Sequence, residues 1–100
     1  MVNIIWEKET EEKFKKMLEK IPVVLRSIAK EKVGKKAESL TQRADRLEVS
    51  EKDLVDAFFS ETPGGFHGPM KVDMESLSID YQKYGYAKDE WKKILEGKIK

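Results

Sequence analysis

The chain has 100 residues, of which 39% are hydrophobic and 39% are charged, and its net charge at pH 7 is +1. This length predicts one domain with a modest core, too small for a catalytic cleft between two lobes. The near-neutral charge gives no general attraction to nucleic acid or to an anionic membrane. The absence of cysteine excludes disulfides, a thiolate nucleophile and thiolate metal sites.

The expected compartment follows from features that the sequence lacks. No apolar run approaches the roughly 20 residues of a membrane span. The first residues have neither the basic region nor the long apolar region of a signal peptide. Together with the absence of cysteine, these features lead us to expect a cytoplasmic protein.

The hydrophobic spacing predicts an all-α fold, a small bundle of four or five helices with a long central helix and a Gly/Pro-rich loop. The first helix is expected over residues 7–20. The central helix is expected from Pro22 to the low forties, because proline suits a first helical turn. We expect Leu25 and Ile28 to be fully buried in the apolar stripe on which every other element packs. The stripe is made of Val24, Leu25, Ile28, Ala29, Val33, Ala37 and Leu40.

Shorter elements flank the central helix. Residues 1–6 are expected to lie extended across the bundle, and residues 47–49 form an extended connector. A third helix is predicted over residues 51–60, with Ser50 as its N-cap and Asp53 completing a capping box. This helix is the most apolar part of the chain, so we expect it to be deeply buried.

The second half of the chain is predicted to contain a loop and two further helices. Two prolines and three glycines predict no regular structure over residues 61–70. A fourth helix is expected over residues 73–83, ended by Gly85, with a turn possible where Ile79-Asp80-Tyr81 interrupts its pattern. A last helix is expected over residues 88–96. The whole chain is expected to form a single helical domain, in which residues 61–100 supply the loop and the C-terminal helices.

The loop is the first candidate for a functional site. A mere linker has no need of an aromatic ring and a histidine, so we predict a contact site made of Gly64, Gly65, Phe66 and His67, with Phe66 as its anchor. The alternative is that Phe66 and Met70 fold back over Phe58 and Phe59 of the third helix as a lid on the core. For His67, a structural role, a ligand contact and a general base near neutral pH stay open. It lacks the histidine or cysteine partners of a metal site, so we predict no metal.

Aromatic and basic side chains supply further candidates. Tyr84 belongs to an aromatic group that packs in the core, forms a pocket for a planar ligand, or presents a partner surface. Arg26 borders the apolar stripe, and we expect its guanidinium to reach an acidic group on the first helix. The lysines and arginines along the central helix indicate a solvated face. The succession of long helix, connector and capped helix also looks like a histone fold, which raises DNA binding as an alternative.

The first sixty residues also carry the pattern of a known helical domain. The pattern consists of Trp6, Glu11, Glu12, Ile21-Pro22, Arg26, Val33, Ala37, Val49-Ser50 and Ala57. It resembles the small C-terminal domain of the B subunit of light-independent protochlorophyllide reductase. The resemblance implies a three-helix appendage that contacts a partner, a substrate or a cofactor, and it brings no catalytic residues.

We therefore predict a non-catalytic helical module that binds a protein partner or an aromatic small molecule and needs no cofactor. The alternatives are a histone-fold-like DNA-associated protein and a small enzyme that uses His67. We expect no membrane binding. The candidate contact residues are Arg26, Gly64, Gly65, Phe66, His67 and Tyr84.

Overall fold

The computed structural model describes residues 3–88, and it confirms the predicted all-α fold. The helices of this part are α1 (Lys8–Glu19), α2 (Val23–Arg43), α3 (Glu51–Glu61) and α4 (His67–Ser76). Short 3-10 helices cover Gly64–Phe66 and Tyr81–Tyr84, and two-residue strands are β1 (Ile5–Trp6) and β2 (Glu48–Val49). The helix predicted over residues 88–96 lies outside the described residues but for its first position. Within residues 3–88, no helix combines the length and the hydropathy needed to cross a membrane.

The N-terminal segment lies extended, and it pairs with the connector between α2 and α3. β1 and β2 are parallel, with Ile5 opposite Glu48 and Trp6 opposite Val49. The Ile5 N–H donates to the Leu47 carbonyl oxygen at 2.9 Å. Because β1 leads into α1 and β2 leads into α3, the parallel pairing places the starts of both helices at the same end of the molecule.

The core is formed by α1, α3 and the C-terminal half of α2, and it is completed by residues after α3. Phe14 of α1 stacks on Trp6 with ring centroids 5.2 Å apart, and it meets Phe58 of α3 edge to face at 5.8 Å. Trp6 Nε1 donates to Glu38 Oε2 at 2.9 Å, which satisfies the indole N–H. The buried hydrophobic residues are Phe14, Met17, Leu18, Val33, Ala37, Val49, Leu54, Val55, Ala57, Phe58, Met70, Met74, Ile79 and Tyr81.

The two halves of α2 have different surroundings. The buried residues of its C-terminal half are Val33, Gly34, Ala37 and Thr41. The apolar side chains of its N-terminal half are exposed: Val23 by 72%, Val24 by 81%, Leu25 by 50% and Ile28 by 52%. The prediction that Leu25 and Ile28 are fully buried is therefore wrong. The reason is length, because α2 has 21 residues and spans about 31 Å, whereas α1 and α3, with 12 and 11 residues, span about 17 Å each.

The segment over residues 61–70 is more regular than predicted. It contains a 3-10 helix and the first residues of α4, which include Gly68 and Pro69. Pro69 is the third residue of α4, where the backbone N–H has no partner inside the helix, so a proline there breaks no hydrogen bond. The helix predicted over residues 73–83 is divided close to the turn that its interrupted pattern allowed, because Ser78 adopts a positive φ of 59° and separates α4 from the second 3-10 helix.

A buried carboxylate joins α2, the connector and α3. Asp53 accepts hydrogen bonds from Arg46 Nη2 at 2.6 Å and from Thr41 Oγ1 at 2.9 Å. The Ser50 N–H also donates to Asp53 at 2.9 Å, and the two residues form the predicted capping box at the start of α3. Burial by itself would raise the pKa of Asp53. These hydrogen bonds, above all the one from Arg46, outweigh burial and lower the pKa to about 2.

Acid is expected to weaken the fold by protonating Asp53. Its pKa is about 3.9 in an unfolded chain and about 2 in the folded protein. The ionised carboxylate therefore stabilises the fold above about pH 4, and this contribution, on the order of 2–3 kcal/mol, is lost as the pH falls towards about 2. Asp53→Asn should lower the free energy of unfolding at pH 7 by a similar amount and flatten its decrease in that acid range, as measured by urea denaturation. An equally steep decrease in the variant would contradict this role.

Truncating Leu54 in α3 and Leu25 in the N-terminal half of α2 tests whether the two side chains differ in burial. Leu54 is 1% exposed, so Leu54→Ala should reduce the free energy of unfolding by about 2–5 kcal/mol through the cavity that it leaves. Leu25→Ala should cost less than about 1 kcal/mol, because a half-exposed side chain leaves no closed cavity. Equal shifts of the denaturation midpoint would show that Leu25 is buried after all.

Candidate functional site

An apolar groove lies between the N-terminal half of α2 and the segment that leads from α3 into α4. Its volume is about 560 Å³. The residues of its α2 wall include Leu25, Ile28 and Ala29, and those of the opposite wall include Pro63, Phe66 and Pro69. We refer to this feature as the apolar groove.

The walls of the apolar groove present apolar side chains to solvent. Leu25 and Ile28 are half exposed on the α2 wall, and Phe66 is 64% exposed on the opposite wall. The alternative of a lid on the core is therefore wrong for Phe66, whereas Met70, its other predicted member, is buried in the core. A single exposed apolar side chain is common on protein surfaces. A contiguous group of them marks a surface that contacts another molecule or another part of the chain.

The floor of the apolar groove is the core itself. Met17 of α1, Val33 of α2, Phe58 of α3 and Met70 of α4 line it, and each is at most 6% exposed. Because each of these helices contributes a floor residue, the shape of the groove depends on the packing of the whole bundle. The two methionines supply flexible, polarisable surface that adapts to the shape of an occupant.

The two sides of the apolar groove carry opposite charges. Lys20, at the end of α1, and Lys32 of α2 form one side, which we call the lysine edge. Glu61 of α3 and Asp73 of α4 form the other side, which we call the carboxylate edge. Within residues 3–88 no salt bridge joins the two edges. An occupant of the groove therefore meets positive charge along one side and negative charge along the other.

Arg26 ties α2 to the end of α1 and does not line the apolar groove. Its Nε donates to the carbonyl oxygens of Leu18 and Ile21, both at 2.9 Å, and its Nη2 donates to the carbonyl oxygen of Glu19 at 2.8 Å. The prediction that the guanidinium reaches an acidic side chain is wrong. The last carbonyl groups of a helix lack partners and carry negative partial charge, so the end of α1 supplies the acceptors instead.

The loop residues predicted around Phe66 mainly shape the turn before α4. His67 Nε2 donates to the Thr62 carbonyl oxygen at 2.8 Å. Neither Gly64 nor Gly65 has a positive φ, and a Cβ added to either would meet no atom within 4 Å. Neither position therefore requires glycine for a strained turn or a close approach. Of the predicted loop site, Phe66 lines the apolar groove, and the histidine and both glycines do not.

Tyr84 does not line the apolar groove, and it joins the segment after α4 to α3. Its hydroxyl donates to Glu51 Oε2 at 2.6 Å, and Lys13 Nζ lies 2.5 Å from the other oxygen of the same carboxylate. Burial and the bond to Glu51 raise the pKa of Tyr84. Nearby, Tyr86 stacks on Phe59 with ring centroids 3.9 Å apart. Both tyrosines therefore fasten the end of the described chain to α3.

A smaller depression of about 350 Å³ lies beside His67. On its lining, the Tyr86 hydroxyl donates to Asp56 Oδ1 at 2.6 Å. Burial and this bond raise the pKa of Tyr86 to about 12, so the phenol stays protonated at neutral pH. Within residues 3–88 no group of three histidine, aspartate or glutamate side chains is placed to hold a metal ion.

Sequence reasoning misses the apolar groove because it assigns Leu25 and Ile28 to the core. The apolar spacing along a helix is the same whether the chain covers the stripe or leaves it open. The signal that was available is length: a central helix of about twenty residues is too long to be covered by predicted neighbours over residues 7–20 and 51–60.

Arg26→Lys is expected to weaken the junction between α1 and α2. Lysine keeps the positive charge, but a single ammonium group cannot reproduce the forked contact with three carbonyl oxygens. The free energy of unfolding should fall by about 1–2 kcal/mol. Arg43→Lys is the matched control, because Arg43 is exposed at the other end of α2, and it should stay within about 0.5 kcal/mol of wild type. Thermal denaturation measures both, and equal losses would contradict a special role for Arg26.

Comparison with known proteins bears on the predicted resemblance. Residues 2–87 match the model of a family described as "Protein of unknown function (DUF2621)". None of the curated proteins and none of the solved structures matches the chain.

The family match overturns the resemblance to the B-subunit domain of protochlorophyllide reductase. The residues that carry that resemblance have general structural roles here: Pro22 precedes α2, Arg26 binds the end of α1, and Ala37 lies in the core. Features of this kind recur wherever two helices pack, so they do not identify a family. With 86 of its 100 positions covered by the match, residues 2 to 87, the chain belongs to the DUF2621 family.

Proposed function

We propose that this chain is a non-catalytic protein-binding module and that its binding surface is the apolar groove. The observation that carries the proposal is the exposure of Leu25, Ile28 and Phe66 around a floor of core side chains. Covering apolar surface is favourable by about 25 cal/mol per Å². An occupant that removes these three side chains from water therefore gains free energy without any rearrangement of the bundle.

The apolar groove suits a protein segment better than a small molecule. Sites for small molecules enclose most of the ligand surface, whereas the walls of this groove are half exposed or more. An amphipathic helix fills an open groove with apolar side chains at positions i, i+3, i+4 and i+7. The charged edges orient it, with acidic side chains of the occupant beside the lysine edge and basic ones beside the carboxylate edge.

The positions of the shifted pKa values support binding rather than catalysis. Strongly shifted titratable groups are common in catalytic sites, where their protonation is tuned to a reaction. In residues 3–88 the largest shifts belong to Asp53, Tyr84 and Tyr86, and each of these groups is bonded to a partner that holds one element on another. None of the three lines the apolar groove.

A synthetic helical peptide tests the proposal. The probe carries Leu and Phe at positions i, i+3, i+4 and i+7, Glu along one edge of that face and Lys along the other. It should bind the wild-type chain, as measured by fluorescence anisotropy of the labelled peptide. Leu25→Lys and Phe66→Ala should each raise the dissociation constant about tenfold or more, because each removes apolar contact at a wall of the groove.

The matched control is Val72→Lys. Val72 is 65% exposed on α4 and does not line the apolar groove, so this variant should bind the peptide like wild type. Melting curves for every variant separate lost binding from lost folding. Absence of binding to a wild-type chain that is monomeric at the concentration used, or an equal loss in Val72→Lys, would refute the groove as the binding surface.

A further inference from the structure

We infer that the partner of the apolar groove is a second copy of this chain, with the N-terminal half of α2 of each copy seated in the groove of the other. The inference rests on the proposed function, because it names the partner of the same groove. It is carried by the apolar side chains that α2 leaves bare and by the opposite charges of the two groove edges.

The N-terminal half of α2 has the chemistry that the groove requires of an occupant. Val24, Leu25 and Ile28 follow one another at spacings of one and three residues, so they form one side of a helix. All three are at least half exposed, and no other segment within residues 3–88 covers them. Val24 does not line the groove of its own copy, which leaves it available to the groove of another.

In the inferred dimer, the same surface of each copy both receives the neighbouring helix and supplies the helix that the neighbour receives. In a two-fold dimer the same patch of each copy contacts the other, so a helix that enters the neighbouring groove brings its own groove into position to receive the neighbouring helix. Leu25 and Ile28 of one copy then lie against Phe66 and Pro69 of the other. The apolar groove and the bare helix face are thus covered in a single contact.

The charges select the direction of the two-fold axis. An axis parallel to α2 places the lysine edge of each copy beside the carboxylate edge of the other. An axis that lies in the plane of the contact but runs perpendicular to α2 would place the two lysine edges beside each other and the two carboxylate edges beside each other. That arrangement is unfavourable because like charges repel. The arrangement of Lys20, Lys32, Glu61 and Asp73 is therefore self-complementary for one orientation of the dimer.

The mass in solution is the first test. The full chain should run at twice its chain mass of 11.6 kDa in size-exclusion chromatography with light scattering. Leu25→Lys places a charge in the contact and should raise the dissociation constant of the dimer about tenfold or more. Val72→Lys, with its charge outside the groove, should leave the mass unchanged. A dimer that is insensitive to Leu25→Lys would overturn the inference.

Charge reversal is a second test, and its result cannot be imitated by a folding defect. The double variant Lys20→Glu/Lys32→Glu has two acidic edges, and the double variant Glu61→Lys/Asp73→Lys has two basic edges. Each alone should be monomeric. An equimolar mixture should form a heterodimer, because every acidic edge again lies beside a basic one. A mixture that stays monomeric would overturn the inference.

A control excludes simple attraction between oppositely charged chains. Lys16→Glu/Lys30→Glu changes the net charge as much as Lys20→Glu/Lys32→Glu does, but at exposed positions that do not line the groove. It should dimerise like wild type and form no heterodimer with the basic-edged variant. Heterodimers in this control mixture would show that the charge of the whole chain drives association, and would overturn the inference.

The inference and the proposed function fail in distinguishable ways. A monomeric full chain overturns the inference; if that monomer binds the peptide probe the proposed function stands, and if it does not both fail.

Discussion

The buried carboxylate of Asp53 is the interaction on which the arrangement of the helices depends. It accepts hydrogen bonds from Thr41 in α2, from Arg46 in the connector and from Ser50 at the start of α3. A carboxylate is stable inside a protein only when hydrogen bonds and an opposite charge replace its water. The three segments that supply those groups are therefore held in one arrangement, which fixes α3 against the C-terminal half of α2.

That attachment explains why the molecule has an apolar groove. Because α3 is bound to the C-terminal half of α2, no helix within residues 3–88 lies along the N-terminal half, and its apolar side chains are half exposed or more. Met70 of α4 packs into the core beside this bare half, and Phe66 stands on the far wall. The groove is thus a direct consequence of joining one long helix to several short ones, and its floor cannot be altered without disturbing the core.

Several side chains that the sequence marks as functional make hydrogen bonds that hold the scaffold together. Arg26 binds carbonyl oxygens at the end of α1, and His67 binds the carbonyl oxygen of Thr62. A polar side chain near the end of a helix has the same appearance in a sequence whether it binds a partner or completes the helix. The resemblance to the reductase domain was misleading for a related reason, since helix starts and core positions recur in unrelated bundles.

The sequence by itself determined the helical class, the approximate bounds of α1, α2 and α3, the capping box of Ser50 and Asp53, and the deep burial of α3. These are local properties, set by hydrophobic spacing and by hydrogen bonds between residues a few positions apart. Only the tertiary structure decided which part of the central stripe is covered. Leu25 and Val33 occupy similar positions on one stripe, and they differ in what packs on them. That depends on the lengths of neighbouring helices and on contacts between residues far apart in the chain.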